Sequence, residues 1–540
     1  DAASLDISGN IDVDGTTNLD VVDVDGAVNF AADVTFATGA DIITASAGTS
    51  NVRIGVNAGD AIASGGNFNV VIGDEAGTAL TTGDKNVAIG FEALKTEDAN
   101  GGNTAIGYRA LKVQDGGAEV ENTAIGSQAG QAIDLGRENV LVGANVGDAL
   151  DHADYNVAMG NSALGADVKG HKSTAIGYAS LNAQSFSSST DSHNTAVGYF
   201  SGVSISTGIQ NTLIGSSAGD ALTDADYNVA IGSFALTADT KGSKNIAIGH
   251  SALGTQNLTS STDLYNVAIG HQAGVAITTA GTNTIIGGLA GATMTAAGSS
   301  NVILGFQAGN VVTTPSNTFL GTRAGAAMTT GEKNTILGRY DGNQQGLDMR
   351  TASNHIILSD GNGHPRARHN SSTWRFSAND FGSALEFDGS QFYPLEDNAI
   401  KNGYPNNRWT VVYATTGSIN TSDQELKQDI ESLSDAELRV ATRIKGLIKK
   451  YRWKDAVVAK GDDARIHVGA IAQEVEQAFT DESLDADRYA IFCKDEWYEV
   501  DGKIAESLLE PHTSETENAV KVTRLGLRYD QLLAFVIATL

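Results

Sequence analysis

Apolar and polar positions follow one another in a unit that repeats through more than half of the chain. The unit reads Asn-x-x-(Ile/Val/Leu/Met)-Gly, and it occurs 17 times between residues 51 and 338, at spacings of 16 to 21 residues and most often 17. Asparagine opens every unit except one, where Ser173 takes its place. A regular period of this kind is typical of solenoids, in which each unit buries its apolar side by stacking on the next.

A unit of this length is too short for a pair of helices and predicts one coil of a β-solenoid or β-roll. We expect a short strand after each asparagine, a tight corner at the glycine, and a hydrogen-bonded asparagine ladder along the stack. The residue before the glycine, such as Ile231, and the pair three residues after it, such as Ala93 and Leu94, are expected to fill a narrow interior. At about 4.8 Å per strand, 17 coils predict a rod of roughly 80 Å.

A longer period lies over the first. Residues 127–198 and 199–270 are two copies of a 72-residue block, and each block ends in a unit of 21 residues. The additional residues, 186–191 and 258–263, predict mostly polar loops that bulge from the rod. Binding surfaces often lie on such loops, although a tolerated, solvated insertion would look the same in the sequence.

The coils resemble the head repeats of trimeric autotransporter adhesins and the related rods of phage tail fibres, which share the Asn-x-Ala-Ile-Gly pattern. The resemblance covers residues 51–338 and implies a parallel homotrimer. It leaves two functions open, a virion fibre and a bacterial trimeric surface adhesin. We expect an adhesin to need a membrane anchor after the rod, and no such segment is apparent before Leu540.

Residues 1–50 alternate in short stretches and predict a β-rich shaft segment. Asn10, Asp12 and Asp14 mimic the start of a calcium-binding loop, but the twelfth position of that loop is Val21 rather than glutamate. We therefore predict no metal site and no cofactor.

Charge and composition narrow the classes of function. The 540 residues carry a formal net charge of -29, which would repel nucleic acid and anionic membrane surfaces. No run of about 18 apolar residues is present to span a bilayer. We therefore predict neither nucleic-acid binding nor membrane insertion. A glycan-cleaving enzyme is not favoured either, because the spacing of the coils singles out no pair of carboxylates.

Beyond residue 340 the period stops and aromatic residues become frequent. Residues 341–421 predict a small β-rich connector or tip, with strands near residues 356–358 and 409–413. Trp374, Phe376 and Phe387 belong to its aromatic cluster. We interpret this cluster as a core that closes the rod, and an exposed cluster that binds sugar is the alternative.

From residue 422 onward the pattern changes to that of an α+β domain. Ser434 and Glu437 have the spacing of a capping box and predict a helix through Ile444. Leu532 and Phe535 then recur at helical spacing, which predicts an amphipathic helix near residue 540.

Four segments of this domain carry a second resemblance, and they are Thr421–Ile430, Tyr451–Lys454, His467–Glu476 and Leu527–Asp530. Together they are similar to the intramolecular chaperone domain of phage tail spikes and endosialidases, which is a family of self-cleaving peptidases. The resemblance implies a domain that assists the folding of a trimer. It also implies a cleavage dyad of a serine and a lysine five residues later, and the matching pair here is Ser422 and Lys427.

The chemistry of such a dyad sets a condition on the lysine. A serine hydroxyl attacks only when a base takes its proton, and the Lys427 amine serves as that base only where burial or a nearby cation lowers its pKa. Assembly that buries Lys427 would therefore switch on cleavage between Ser422 and Asp423. The alternative is that Ser422 caps a helix with Glu425 as its partner. We assign His467 either to proton transfer or to a hydrogen bond at a strand end.

The sequence thus predicts a mainly β protein, an elongated homotrimeric β-roll or β-solenoid fibre of about 17-residue coils, followed by a small β-rich segment and an α+β C-terminal chaperone domain. The predicted domains are residues 1–50, 51–340, 341–421 and 422–540. We expect a phage tail fibre or spike that contacts other virion tail proteins at its N-terminus and a host cell-surface glycan or protein receptor. Its one expected reaction is a single-turnover cut by a serine/lysine endopeptidase in its own chain.

Overall fold

The computed structural model describes residues 46–117, 120–377, 384–395, 427–500, 503–504 and 520–540. The chain divides into two compact units, Asp1–Glu396 and Asp397–Leu540. The predicted calcium-like loop at residues 10–21, most of the predicted shaft segment and the strand predicted at 409–413 lie outside the described residues.

Each repeat of the first unit forms one coil and contributes a three-residue strand to a continuous parallel sheet. Neighbouring strands pair residue for residue, as Val229–Ile231 does with Ile246–Ile248. The strand Ile356–Ser359 pairs in the same way with Thr335–Leu337, so the stack extends one strand beyond the predicted 17 coils. The parallel strands are Val52–Ile54, Val70–Ile72, Val87–Ile89, Thr104–Ile106, Thr123–Ile125, Val140–Val142, Val157–Met159, Thr174–Ile176, Thr195–Val197, Thr212–Ile214, Val229–Ile231, Ile246–Ile248, Val267–Ile269, Thr284–Ile286, Val302–Leu304, Thr318–Leu320, Thr335–Leu337 and Ile356–Ser359.

Each of the first 17 of these strands ends at a glycine corner that no other residue fits. At Gly232 the backbone φ is +133°, in the region that favours glycine. A Cβ at this position would lie 2.6 Å from the carbonyl carbon of Gly249 in the next coil. Backbone conformation and the close stacking of corners therefore both require glycine, and the predicted corner is confirmed.

The predicted asparagine ladder is also present. The backbone N–H of Asn228 donates to Oδ1 of Asn211 at 3.0 Å, one coil earlier. Asn228 is fully buried, and so are its equivalents along the stack. Because a buried amide must find partners for its donor and its acceptor, the ladder lets polar side chains lie inside an otherwise apolar coil.

Small side chains fill the interior of the coils, as expected, with Ala93 and Leu94 both fully buried. The expectation for the residue before the glycine is wrong. Ile231 lies on the outer face of its strand, because successive strand residues point to opposite faces and the buried one is Ala230. The large apolar residue of each strand is therefore turned away from the coil.

Four antiparallel strands extend the edge of the parallel sheet, which brings it to 22 strands. They are Pro365–His369, Trp374–Phe376, Leu385–Phe387 and Phe392–Pro394. The interpretation of the aromatic cluster as a core is wrong for the described chain. Phe376 is 47% exposed, Phe387 43% and Phe392 65%.

Short two-residue strands pair outside the main sheet. Thr190–Asp191 and Thr262–Asp263, at the ends of the two predicted insertions, pair in parallel with Gly170–His171 and Gly242–Ser243. Asn343–Gln344 pairs with Leu347–Asp348 in antiparallel orientation. The insertions are therefore tied to the coil before them at one end.

The second unit is an α+β domain. Its helices are α1 (Asp435–Lys445), α2 (Lys454–Lys460), α3 (Ala472–Asp481) and α4 (Tyr529–Ile537), with short 3₁₀ helices at Gly461–Asp463 and Ala486–Arg488. Its strands are Lys449–Tyr451, His467–Gly469, Phe492–Val500, Lys503–Ile504 and Val520–Leu527.

The predicted capping box begins α1, because the N–H of Glu437 donates to Oγ of Ser434 at 3.3 Å and the N–H of Ser434 donates to Oε2 of Glu437 at 2.6 Å. Phe479 of α3 stacks on Phe535 of α4 in the core of this unit. Among the described residues, no helix has the length and apolar character needed to cross a membrane.

Candidate functional site

Two of the four motif segments of the second unit meet in a hairpin. Lys449–Tyr451 pairs with His467–Gly469, and Tyr451 lies opposite His467. The two rings stack with centroids 5.7 Å apart, and Trp453 approaches the imidazole edge-on at 6.3 Å. His467 is therefore an exposed strand-end residue within an aromatic cluster.

A third motif segment contacts the same hairpin through Tyr529. The hydroxyl of Tyr529 donates to the carbonyl oxygen of Ala470 at 3.3 Å. Partial burial, and then the neighbouring Tyr451, raise the pKa of the Tyr529 hydroxyl. A Cβ on Gly469 would lie only 2.1 Å from that hydroxyl oxygen, so the glycine makes room for the tyrosine.

The predicted cleavage dyad falls largely on undescribed residues. Ser422 and Asp423 lie outside the described residues, as does Glu425, the proposed capping partner. Lys427 is the first described residue of the second unit and is exposed. The pairing of Ser422 with Lys427 and the role of His467 in proton transfer therefore remain predictions.

The hairpin and α2 also present apolar side chains to solvent. Val458 on α2 is 89% exposed, and Ile466 and Val468 are both 66% exposed, beside the half-exposed Trp453. No residue of α2 is buried. Exposed apolar groups at this density are typical of a contact surface.

The coils hold buried acidic residues that the sequence analysis missed. Asp239 is fully buried, and Nε2 of Gln256, one coil later, donates to its Oδ2 at 2.5 Å. Oε1 of the same glutamine accepts from Nδ2 of Asn266 at 3.0 Å, which joins the acid to the asparagine ladder. The same relay recurs at Asp167, Gln184 and Asn194 and at Glu97, Gln114 and Asn122.

The relays mark the places where the rod carries additional residues. Gln184 and Gln256 lie in the two 21-residue units, and Gln114 lies in the one unit of 19 residues. A signal was present in the sequence, since an acidic residue precedes each of these glutamines by 17 positions. We infer that each relay anchors the base of a longer coil, because an extended loop pulls polar backbone and side chains inward that need buried partners.

One acidic group of the described residues brings possible ion ligands together, namely Glu97, Asp98 and Asp115. Both carboxylate oxygens of Glu97 already accept hydrogen bonds, Oε1 from Asn100 and Oε2 from Gln114. The group is accounted for as part of the relay, and the absence of a metal site remains a prediction.

The first insertion borders a cleft of about 550 Å³. Ser187, Ser188 and Thr190 of the insertion and Thr207 and Asp226 of later coils line it. Hydroxyls and a carboxylate give this cleft a polar rim suited to a hydroxylated ligand.

Residues 422–484 match the family model described as Chaperone of endosialidase. The second unit contains a chaperone-of-endosialidase domain. The resemblance drawn from the four motif segments is therefore confirmed. The hairpin, the aromatic cluster around His467 and α1 all belong to the matched part of this chaperone domain.

Relatives of the chain are tail proteins of phages. It is 35% identical over 148 residues to a probable tail spike protein of Klebsiella phage 0507-KN2-1, a match of 25% of this chain and 12% of the relative. It is 36% identical over 106 residues to the side tail fibre protein pb1 of Escherichia phage T5, a match of 20% of this chain and 7% of the relative. The chain therefore spans only a small part of the length of these relatives.

Among solved structures, a similar chain is the carboxy-terminal domain of the bacteriophage T5 L-shaped tail fibre with its intramolecular chaperone domain. The two are 24% identical, and the match covers 32% of this chain and 46% of that one with a TM-score of 0.23. The relatives confirm the predicted class, since the chaperone domain of this chain is shared with tail fibres and tail spikes of the virion.

Proposed function

We propose that this chain is part of a trimeric phage tail fibre or tail spike whose C-terminal chaperone domain guides assembly and then cuts itself free. The observation that carries the proposal is the order of the two units. A chaperone-of-endosialidase domain follows a stack of eighteen parallel strands that look almost alike. Such a stack is the kind of structure that needs help to fold.

The physical need for a chaperone lies in the register of the coils. Neighbouring strands differ little, so two chains displaced by one coil would make nearly the same contacts. Contacts between chains are also non-local and slow to form. A domain that brings the three C-terminal ends together first would align the coils before they zip.

The proposed cut uses the chain's own residues. Lys427, once neutral, takes the proton of the Ser422 hydroxyl, and the oxygen attacks a peptide carbonyl. Hydrolysis between Ser422 and Asp423 adds one water, which leaves a carboxylate on Ser422 and an amino group on Asp423. Ser422 reaches the bond that follows it with difficulty, so this cut favours a serine from a neighbouring chain. Attack on the preceding carbonyl would instead be an N-to-O acyl shift.

The proposed partners follow from the same class. Other virion tail proteins would hold the N-terminal end of the fibre, and a glycan or protein of the host surface would be its receptor. The cleft beside the first insertion, with its hydroxyl rim and Asp226, is where we place a receptor contact. The geometry supports a hydroxylated ligand there because its side chains offer both donors and acceptors.

The experiment compares the full chain with Ser422→Ala and Lys427→Ala on denaturing gels and by intact mass. We expect wild type to release a fragment of 118 residues, and both variants to fold but stay full length. Ser434→Ala is the matched control, because it removes a serine with a known helix-capping role and should leave the cut unchanged. An uncut wild type would make the domain a retained cap, and cleavage of Ser422→Ala at this bond would remove Ser422 from the reaction.

A further inference from the structure

The outer face of the coil sheet carries a continuous apolar stripe. We define the apolar stripe as the first and third residues of the eighteen parallel strands. The first residue is Val, Thr or Ile in every strand, and the third is Ile, Val, Leu or Met. Neither column contains a charged side chain.

The stripe faces water in the single chain. Ile54 is 55% exposed, Met159 47% and Leu337 50%, while the middle residues of strands two to eighteen are buried in the coil. Many other members are half-buried only because the strands above and below cover part of their surface. No packing within the described first unit covers the outer face of these columns.

The stripe continues into the aromatic side chains at the C-terminal edge of the sheet. Leu358, a stripe residue, lies opposite Ala367, which lies opposite Phe376. Directly opposed residues of antiparallel strands share a face, so these side chains stand on the side of the stripe. We define the aromatic patch as Trp374, Phe376, Phe387 and Phe392, and the same pairing rule places all four on this face.

The size of this surface is that of a protein interface. At about 4.8 Å per strand and about 10 Å across, the 18 strands present on the order of 800 Å². The largest apolar patch on a typical monomer is about 300–600 Å². A stable interface buries about 800 Å² on each partner.

Charge indicates which surface can bring copies together. Each chain carries a formal net charge of -29, so identical copies repel one another over most of their surfaces. The stripe is a strip without charge along such a chain. Two copies that meet along it bury apolar area and keep their carboxylates in water.

We propose that the apolar stripe and the aromatic patch are the surface through which three copies of this chain pack in parallel and in register around a common axis. This inference rests on the proposed function for the number of copies. It assigns to the rod the face that each copy turns inward. In such an assembly every stripe residue lies near its own equivalents at the same height, because a closed symmetric ring repeats the same contacts.

The test is cross-linking between copies of the full chain. Cys493 is the one cysteine of the chain, and Cys493→Ser provides a background without thiols. Ile231→Cys then places a thiol on the stripe, and Ser260→Cys places one on the exposed second insertion as the matched control. Both are treated with a short bismaleimide, analysed on denaturing gels, and weighed in solution by light scattering.

We expect a mass of three chains for both variants, and about tenfold more cross-linked dimer from Ile231→Cys, because thiols held together by assembly react at a high effective concentration. A three-chain mass with equal cross-linking, or with more from Ser260→Cys, would overturn the assigned face and leave the trimer intact. A monomeric mass would instead contradict the trimer of the proposed function. Val229→Cys, on the same face of the same strand, repeats the test if Ile231→Cys does not fold.

The aromatic patch is tested separately with Phe376→Cys in the same background. We expect it to cross-link like Ile231→Cys. A patch that binds glycan instead of its own copies would leave Phe376→Cys uncross-linked in a trimer where Ile231→Cys reacts. That result would remove the patch from the proposed interface.

Discussion

The backbone N–H of Asn245 donates to Oδ1 of Asn228, one coil earlier, at 3.0 Å. Nδ2 of the same Asn228 donates to the carbonyl oxygen of Gly242 at 2.9 Å, also in the later coil. One amide therefore satisfies a donor and an acceptor of the neighbouring backbone. This double role needs a side chain with both groups on one short arm, which explains why asparagine recurs at the position.

Replacing this amide is expected to weaken the stack. Asn228→Ala leaves a buried N–H and a buried carbonyl without their partner, and each such loss costs about 1–3 kcal/mol. We expect the free energy of unfolding to fall by about 2–4 kcal/mol, measured by denaturant titration. Asn161→Ala, at an exposed asparagine of an earlier coil, is the control and should change it by less than about 0.5 kcal/mol. Equal effects of the two variants would contradict the role of the ladder.

The corner glycines are expected to tolerate no side chain. Gly232→Ala combines a φ of +133° with a Cβ 2.6 Å from the backbone of Gly249, so the two coils would have to separate. We expect loss of soluble folded protein. Gly361→Ala is the control, because a Cβ there would meet no atom within 4 Å. Normal yield and thermal stability of Gly232→Ala would show that the corners are less tightly stacked than described.

Glu92 is expected to make the rod sensitive to acid. Lys112 and Lys95, and to a lesser degree Arg109, lower the pKa of this carboxyl to about 2 from its ordinary value of 4.5. The folded state therefore binds the proton more weakly than the unfolded state does, and the stabilisation is complete above pH 4.5 and lost as the pH falls towards 2.

The measurement is the thermal midpoint between pH 6 and the lowest pH at which the chain stays folded. We expect wild type to lose more stability across this range than Glu92→Gln, whose side chain does not titrate. Glu138→Gln, at an exposed glutamate, is the control and should follow wild type. Parallel curves for wild type and Glu92→Gln would refute the prediction.

Gly469 is expected to be essential for the chaperone domain. Gly469→Ala would push the Tyr529 hydroxyl away from Ala470, because the new Cβ would lie 2.1 Å from that oxygen. We expect a lower thermal midpoint for this domain. Adding Tyr529→Phe removes the nearest atom and should restore part of the loss, whereas Gly526→Ala, with a Cβ 3.6 Å from its neighbour, should be neutral. Absence of rescue would mean that the clash is with the ring or the backbone instead.

The repeating features of the fold could be predicted because each depends on one residue type. The glycine of the corner and the asparagine of the ladder have no substitutes in their roles, so their spacing alone indicated the coils. The capping box at Ser434 was predictable for the same reason, since it is a local contact between residues three apart.

The direction of Ile231 could not be predicted from the same pattern. In Val229, Ala230 and Ile231 all three residues are apolar, so alternation assigns no solvent face. The narrow coil takes the small Ala230, and the larger side chains must point outward. That choice depends on the width of the coil and on a surface outside the single chain, and neither is written in a three-residue strand.

The buried acids of the relays were missed for a related reason. Asp239 and Gln256 lie 17 residues apart and resemble ordinary polar residues of a surface loop. Only the stacking of consecutive coils brings them to 2.5 Å. The cleavage dyad was inferred from resemblance, and its serine lies outside the described residues.

The asparagine ladder also bears on how such a rod carries tension. Hydrogen bonds between coils run along the stack, so a pull along its axis loads every junction in series, and adding coils makes the rod longer without making it stronger. The junction after Ser173 differs from the others, because this side chain meets Oγ of Ser192 at 2.5 Å in place of the amide contact. The strength of the rod under load is therefore a local property, determined by its weakest junction.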